Sequence, residues 1–79
     1  MVRPSAVREL DAIPKKFAQQ IARRLQALTE IPRPAGCEKL SGQDRYRVRQ
    51  GTYRIIYGVD DVAKVVDVVK IAHRKEVYR

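Results

Sequence analysis

The stretch RYRVRQGTYRIIY, residues 45–57, alternates residue by residue between side chains suited to a core and side chains suited to water. A period of two belongs to an extended strand with one covered face, so this stretch commits the chain to a β-hairpin and to a partner layer over it. Taking Gln50 and Gly51 as the central turn residues, with Gly51 accepting positive φ, the pairs are Arg49 with Thr52, Val48 with Tyr53, Arg47 with Arg54 and Tyr46 with Ile55. Tyr46, Val48, Tyr53 and Ile55 then share one face; Arg45, Arg47, Arg49 and Arg54 share the other. Like charges directly opposed on a ladder destabilise it by some tenths of a kcal/mol up to about one. Four arginines with no acid among them lack a counter-charge, and a bound phosphate would supply it.

The rest of the chain is read around this hairpin. Ser5 is expected to cap a first helix carrying Ala6, Val7 and Leu10, and Pro14 closes that helix or opens the next. From Lys15 to Leu28, Phe17, Ile21, Leu25 and Leu28 form one apolar stripe, while Lys15, Lys16, Arg23 and Arg24 read as solvated surface. Pro32, Pro34, Gly36 and Gly42 punctuate a loop that leaves room for a regular element only around Glu38 to Leu40. After a turn at VDD, residues 59–61, the run VAKVVDVVKIAHR reads as the most buried strand. The expectation is one α/β (α+β) domain over residues 1–79, a helical hairpin on a three-stranded antiparallel core.

Charge narrows the class of function. Seventeen Lys and Arg stand against nine Asp and Glu, a net +8, with a pI near 10.2, which points to a polyanionic partner or substrate. The single Cys37 can form no internal disulfide and the single His73 has no second ligand nearby, so no metal and no cofactor is expected. No apolar run reaches the length of a membrane span and MVRPSAVREL lacks the apolar core of a signal peptide, so no membrane partner and a cytoplasmic location are expected.

The C-terminal KIAHRKEVYR suggests chemistry for the arginine face. His73, Arg74 and Tyr78 are placed to bring an imidazole, a guanidinium and a phenol toward it. Phosphodiester cleavage by a ribose 2′-OH needs that hydroxyl deprotonated, the charge growing on phosphorus stabilised, and the leaving 5′-oxygen protonated. Arg47, Arg54 and Arg74 suit the charge, Arg49 suits positioning, and with Arg45 they suit RNA binding. His73 is the side chain that titrates near neutrality; it is either the proton carrier or a strand-end histidine bonded to backbone. Tyr78 either stacks on a base, acts as an acid, or caps the core.

KLSGQDRYRVRQGTYRIIYGVDD followed by VVDVVKIAHRKEVYR resembles the RelE/ParE superfamily of bacterial and archaeal toxins, and SAVRELDAIP resembles its first helix. The resemblance implies two helices on an antiparallel sheet and neutralisation by a cognate antitoxin. On the RelE side it implies ribosome-dependent messenger RNA cleavage by 2′-OH attack, leaving a 2′,3′-cyclic phosphate and inhibiting translation. The catalytic positions it implies are Arg47, Arg49, Arg54, Arg74 and Tyr78, and their complete occupancy by Arg or Tyr favours RelE over a ParE-type gyrase inhibitor; a non-catalytic binding module is the third reading. Arginines at 47 and 49, where some RelE enzymes carry lysine, direct attention to His73 as the proton carrier. Only Met1, Val2 and Arg3 precede Pro4, where the family opens with a strand. A truncated first strand, an open sheet edge and weak self-association through it are therefore expected.

Overall fold

A computed structural model describes residues 1–42 and 44–73. Helix α1 spans Pro4–Asp11 and α2 spans Lys15–Glu30; strands β1 (Glu38–Lys39), β2 (Tyr46–Gln50), β3 (Tyr53–Asp60) and β4 (Val65–His73) follow. Arg3, with φ −66° and ψ 150°, holds the N-cap position and Pro4 opens α1. Proline suits that first position because its absent N–H would have no helical acceptor there. Ser5 thus lies inside the first turn and does not cap it. Pro14 stands immediately before α2, whose apolar stripe faces the sheet, with Ile21 and Leu28 buried and Phe17 and Leu25 half-buried.

The sheet is four-stranded, in the order β1-β2-β3-β4, with every neighbouring pair antiparallel. The strand beyond the expected three is β1, formed at the position where the proline-rich loop left room for one. Helix α1 lies over β4, and α2 crosses β4 and β2. Tyr57, Ile21, Leu28, Ile55, Ile71 and Val48 are the largest fully buried side chains. Strand β3 runs through the interior of the sheet and β4 lies beside it at the side of the four-stranded ladder, yet the valine-rich β4 brings the most buried side chains, Val66, Val68, Ile71 and Ala72, because the helices and the first residues of the chain cover it. Strand β3 extends to Asp60, two residues into the expected VDD turn, and the Asp60 carboxylate accepts the N–H groups of Val62 and Ala63 at 3.0 Å each to close the following turn.

The hairpin differs from expectation in where it turns. Gln50 pairs with Tyr53, Arg49 with Arg54, Val48 with Ile55, Arg47 with Ile56 and Tyr46 with Tyr57, so Gly51 and Thr52 are the central residues. The opposed arginines are therefore 49 and 54, not 47 and 54. Partner numbers move by two, which preserves both faces, because side-chain direction repeats every two residues. Gly51 has φ +61°, in the left-handed region where a Cβ costs about 1–2 kcal/mol. Gly51→Ala is expected to lower stability by about 1 kcal/mol in urea unfolding, since nothing lies within 4 Å of the added carbon and backbone strain alone acts.

Strand β4 solves a phase problem. Strict alternation from Val66 would send Ile71 to the same face as Asp67. Instead the pairing slips between Ile56 and Tyr57, whose partners are Lys70 and Val68, so that Val69 is an extra residue. This β-bulge puts Ile71 inside with Val66 and Val68 and leaves Lys70 exposed.

The outer edge of β4 is covered rather than open. Val2 bridges Val68 in parallel, with Arg3 N–H donating to Val68 O at 3.0 Å and Val68 N–H to Met1 O at 2.8 Å. Farther along, the Glu9 carboxylate accepts the Ile71 N–H at 3.2 Å and pairs with Lys70 at 3.3 Å. Three residues and one glutamate take the place of a full strand here, which removes the basis for self-association through this edge.

Tyr57 ties the sheet to the loop after α2. Its hydroxyl donates to Pro32 O at 2.6 Å and its ring stacks on Tyr46 with centroids 5.8 Å apart. Burial, reinforced by the neighbouring Cys37, pushes the Tyr57 hydroxyl up to about 12. An acid whose folded-state value is raised above its unfolded one (about 10 for tyrosine) contributes stability that is full below the lower value and lost as pH climbs to the higher. Stability is thus expected to fall between about pH 10 and 12, with this step missing in Tyr57→Phe; circular dichroism across that range checks it.

Candidate functional site

The hairpin places Arg47, Arg49 and Arg54 on the face away from the helices, because Val48 and Ile55 between them are drawn into the core. These three arginines, with Gly36 and Glu38, line one cavity of about 280 Å³. Arg54 is only 6% exposed, and its Nη1 has no hydrogen-bond partner among the described residues. A guanidinium withdrawn from water with a donor unused is costly, and the like-charged Arg49 directly opposite adds to the cost. An anion in the cavity would sit beside both guanidinium groups and offset their repulsion.

Glu38 is a site residue that sequence reasoning passed over. It pairs with Arg47 across the β1–β2 ladder, and its Oε2 accepts from Arg47 Nη2 at 2.9 Å. A carboxylate at the mouth of an arginine cavity can take a proton from a hydroxyl that enters it. The available signal was the narrow span around Glu38 to Leu40, between Gly36 and Gly42, that permitted a strand. A strand there is antiparallel to the hairpin and brings Glu38 onto the arginine face.

The other expected residues are distributed differently. Arg45 lines a separate open depression with Arg3, Asp44, Gly58, Val59, Asp60 and Asp67. The outer face therefore carries acids as well as arginines, contrary to the expectation of a purely basic face. His73 pairs with Tyr53 and meets its ring edge-on, centroids 5.7 Å apart; Tyr53 in turn packs on Phe17 of α2 at 6.0 Å. His73 thus faces the helix layer, where it lines a recess with Glu9, Ala12 and Ile13, and is not brought to the arginine cavity. Arg74 and Tyr78 lie outside the described residues. Of the side chains expected to stay solvated, Lys15, Lys16 and Arg23 are exposed, while Arg24 is half-buried with its Nε lacking a partner among the described residues. Among the described residues no group of His, Cys, Asp and Glu could hold a metal ion, and no helix is long and apolar enough to cross a membrane.

A hairpin with this cavity on its open face invites comparison with known toxins, and the family model for the ParE toxin of type II toxin–antitoxin systems matches residues 1–78. The chain belongs to the RelE/ParE toxin superfamily. It is similar to the isolated E. coli RelE toxin, at 29% identity and a TM-score of 0.79 over 98% of this chain and 86% of that one. It is similar also to an E. coli RelE double arginine-to-alanine variant in complex with a RelB antitoxin peptide, at 31% identity and a TM-score of 0.75 over 98% and 85%. These likenesses put it on the RelE side of the superfamily. A RelBE toxin–antitoxin complex of Mycobacterium tuberculosis shares the fold at a TM-score of 0.82 over 94% of each chain, with 23% identity. Among curated proteins none matches significantly. Two helices on a four-stranded antiparallel sheet are the RelE architecture, and this chain is a type II toxin built on it.

Proposed function

We propose that this toxin is an endoribonuclease that cleaves messenger RNA on the ribosome, held inactive by a cognate antitoxin of the RelB kind. The observation that carries the reading is the cavity shared by Arg47, Arg49 and the nearly buried Arg54, whose Nη1 has no hydrogen-bond partner among the described residues. In this mechanism a scissile phosphate enters the cavity, its non-bridging oxygens meeting Arg54 and Arg49. The 2′-hydroxyl gives its proton to Glu38 as its oxygen bonds to phosphorus, and Arg47 holds the Glu38 carboxylate in place. The bond from phosphorus to the 5′-oxygen breaks, that oxygen takes a proton from Tyr78 or water, and a 2′,3′-cyclic phosphate remains. Charge stabilisation by guanidiniums aimed at the growing negative charge is the main contribution. His73 enters this scheme only if the strand end rearranges, so Glu38 replaces it as the proposed proton acceptor.

Primer extension on messenger RNA translated with purified ribosomes tests the proposal: codon-registered cuts that need both toxin and ribosomes are expected. Gyrase inhibition is the second reading, favoured by the ParE character of the family match; loss of plasmid supercoiling with intact message would establish it instead. Glu38→Gln keeps the side chain's shape and removes the proton acceptor, and a rate loss of about 10²-fold with unchanged melting temperature is expected. A rate within twofold of the parent would remove Glu38 from the mechanism.

A further inference from the structure

Along β2 and β3 the outer face changes the sign of its charge. At one end stand Arg49 and Arg54, then Arg47 beside Ile56. Four residues on from Arg54, around Gly58, the surroundings are Asp44, Asp60 and Asp67. Arg47, opposite Ile56, stands two residues from Gly58, roughly 7 Å at about 3.3 Å per residue, and Arg49 and Arg54 stand roughly 13 Å away, beyond the Debye length of about 8 Å at physiological salt. The Arg49 and Arg54 pair therefore keeps its own field, and Arg47 lies at the border between the two ends. The cations at the acidic end are not available in the same way: Arg3 donates to Asp67 at 2.7 Å and 3.0 Å, and Arg45 shares its depression with all three carboxylates.

We propose that Asp44 and Asp60 are specificity-determining residues that prevent a polynucleotide from lying along the strands, so that a single RNA strand crosses β2 and β3 at the Arg47, Arg49 and Arg54 end alone. This deepens the proposed endoribonuclease reading and rests on it. The arginine end grips the phosphate to be cut, and the acidic end repels its neighbours along the strand axis. Free RNA then engages this face through few phosphates, and productive alignment depends on a strand already held in the crossing direction. Arg45, although on the same face, contributes nothing to RNA affinity while the aspartates surround it.

The test is the salt dependence of single-stranded RNA binding, measured by fluorescence anisotropy between about 50 and 200 mM salt. Asp44→Asn/Asp60→Asn keeps an acceptor for the Val62 and Ala63 amides. Its log–log slope is expected to steepen by about 0.7 for each additional phosphate that the variant neutralises, so by about 0.7 to 1.4 in all. Adding Arg45→Ala should cancel part of that steepening, whereas Arg45→Ala alone leaves the parent slope unchanged. The control Asp11→Asn/Glu30→Gln makes the same change in net charge on exposed helix positions and should not steepen the slope. An unchanged slope in the aspartate variant, or equal steepening in the control, overturns the inference. Arg54→Met separates this failure from failure of the site: binding that Arg54→Met does not weaken overturns the cavity as the RNA site and this inference with it. Binding that Arg54→Met weakens, with no effect of the aspartates, overturns this inference alone.

Discussion

Arg54→Met is expected to cleave messenger RNA about 10²–10³-fold more slowly than the parent toxin, the loss typical of removing one charge-stabilising donor, and yet to melt at a higher temperature. The two effects share one cause. Arg54 is nearly buried, has no partner for Nη1 among the described residues and faces Arg49 across the ladder. A buried donor without an acceptor costs about 1–3 kcal/mol, and a thioether of similar length fills the space with no such cost. A net stabilisation of about 1 kcal/mol corresponds to about 4–8 °C in a domain of this size. A destabilising arrangement of this kind is tolerated where function needs it. Inorganic phosphate should raise the melting temperature of the parent, by binding the folded state alone, and leave Arg54→Met unmoved. A variant that is less stable and equally toxic would show that Arg54 is a structural residue and that its open donor has no ligand.

Tyr57→Ala is expected to cost about 3–5 kcal/mol, a large part of the roughly 4–12 kcal/mol that 79 residues ordinarily hold in reserve. Tyr57 is fully buried on the central strand β3, where it stacks on Tyr46 and fixes Pro32 through its hydroxyl. Removing the ring opens a cavity in a core with few large side chains to collapse into it. The same change frees the loop that carries Gly36 and Glu38 to the arginine cavity, so cleavage should fall even at temperatures where the variant stays folded. Tyr57→Phe separates the contributions: it keeps the ring and loses only the hydroxyl's bond, about 1 kcal/mol. Chemical denaturation of the three proteins checks the order, and a Tyr57→Ala loss under about 1 kcal/mol, no more than the hydroxyl's bond alone, would contradict the role given to the ring.

How much of this was legible in advance differs from residue to residue. The alternation of residues 45–57 determined by itself that Val48 and Ile55 go inward and that Arg47, Arg49 and Arg54 go outward, because only parity decides a strand's face. Parity was safe even with the turn misplaced, since moving it from Gln50-Gly51 to Gly51-Thr52 shifts partners by two. The stripe of Phe17, Ile21, Leu25 and Leu28 likewise determined the covered face of α2 through local period alone. Three things were decided only by tertiary structure. Glu38 reached the cavity because a two-residue strand found an edge to pair with, and so brief an element has no period to read. The edge of β4 was closed by backbone from Met1 to Arg3 and by a carboxylate from α1, which bring together segments from opposite ends of the chain. The place of His73 was decided by the bulge at Val69. A regular strand would have turned His73 outward with Asp67, to the arginine face; one extra residue turned it in against Tyr53. The bulge forms because the core needs Ile71 as well as Val66 and Val68, a demand of packing that no local pattern in VVDVVKIAH expresses.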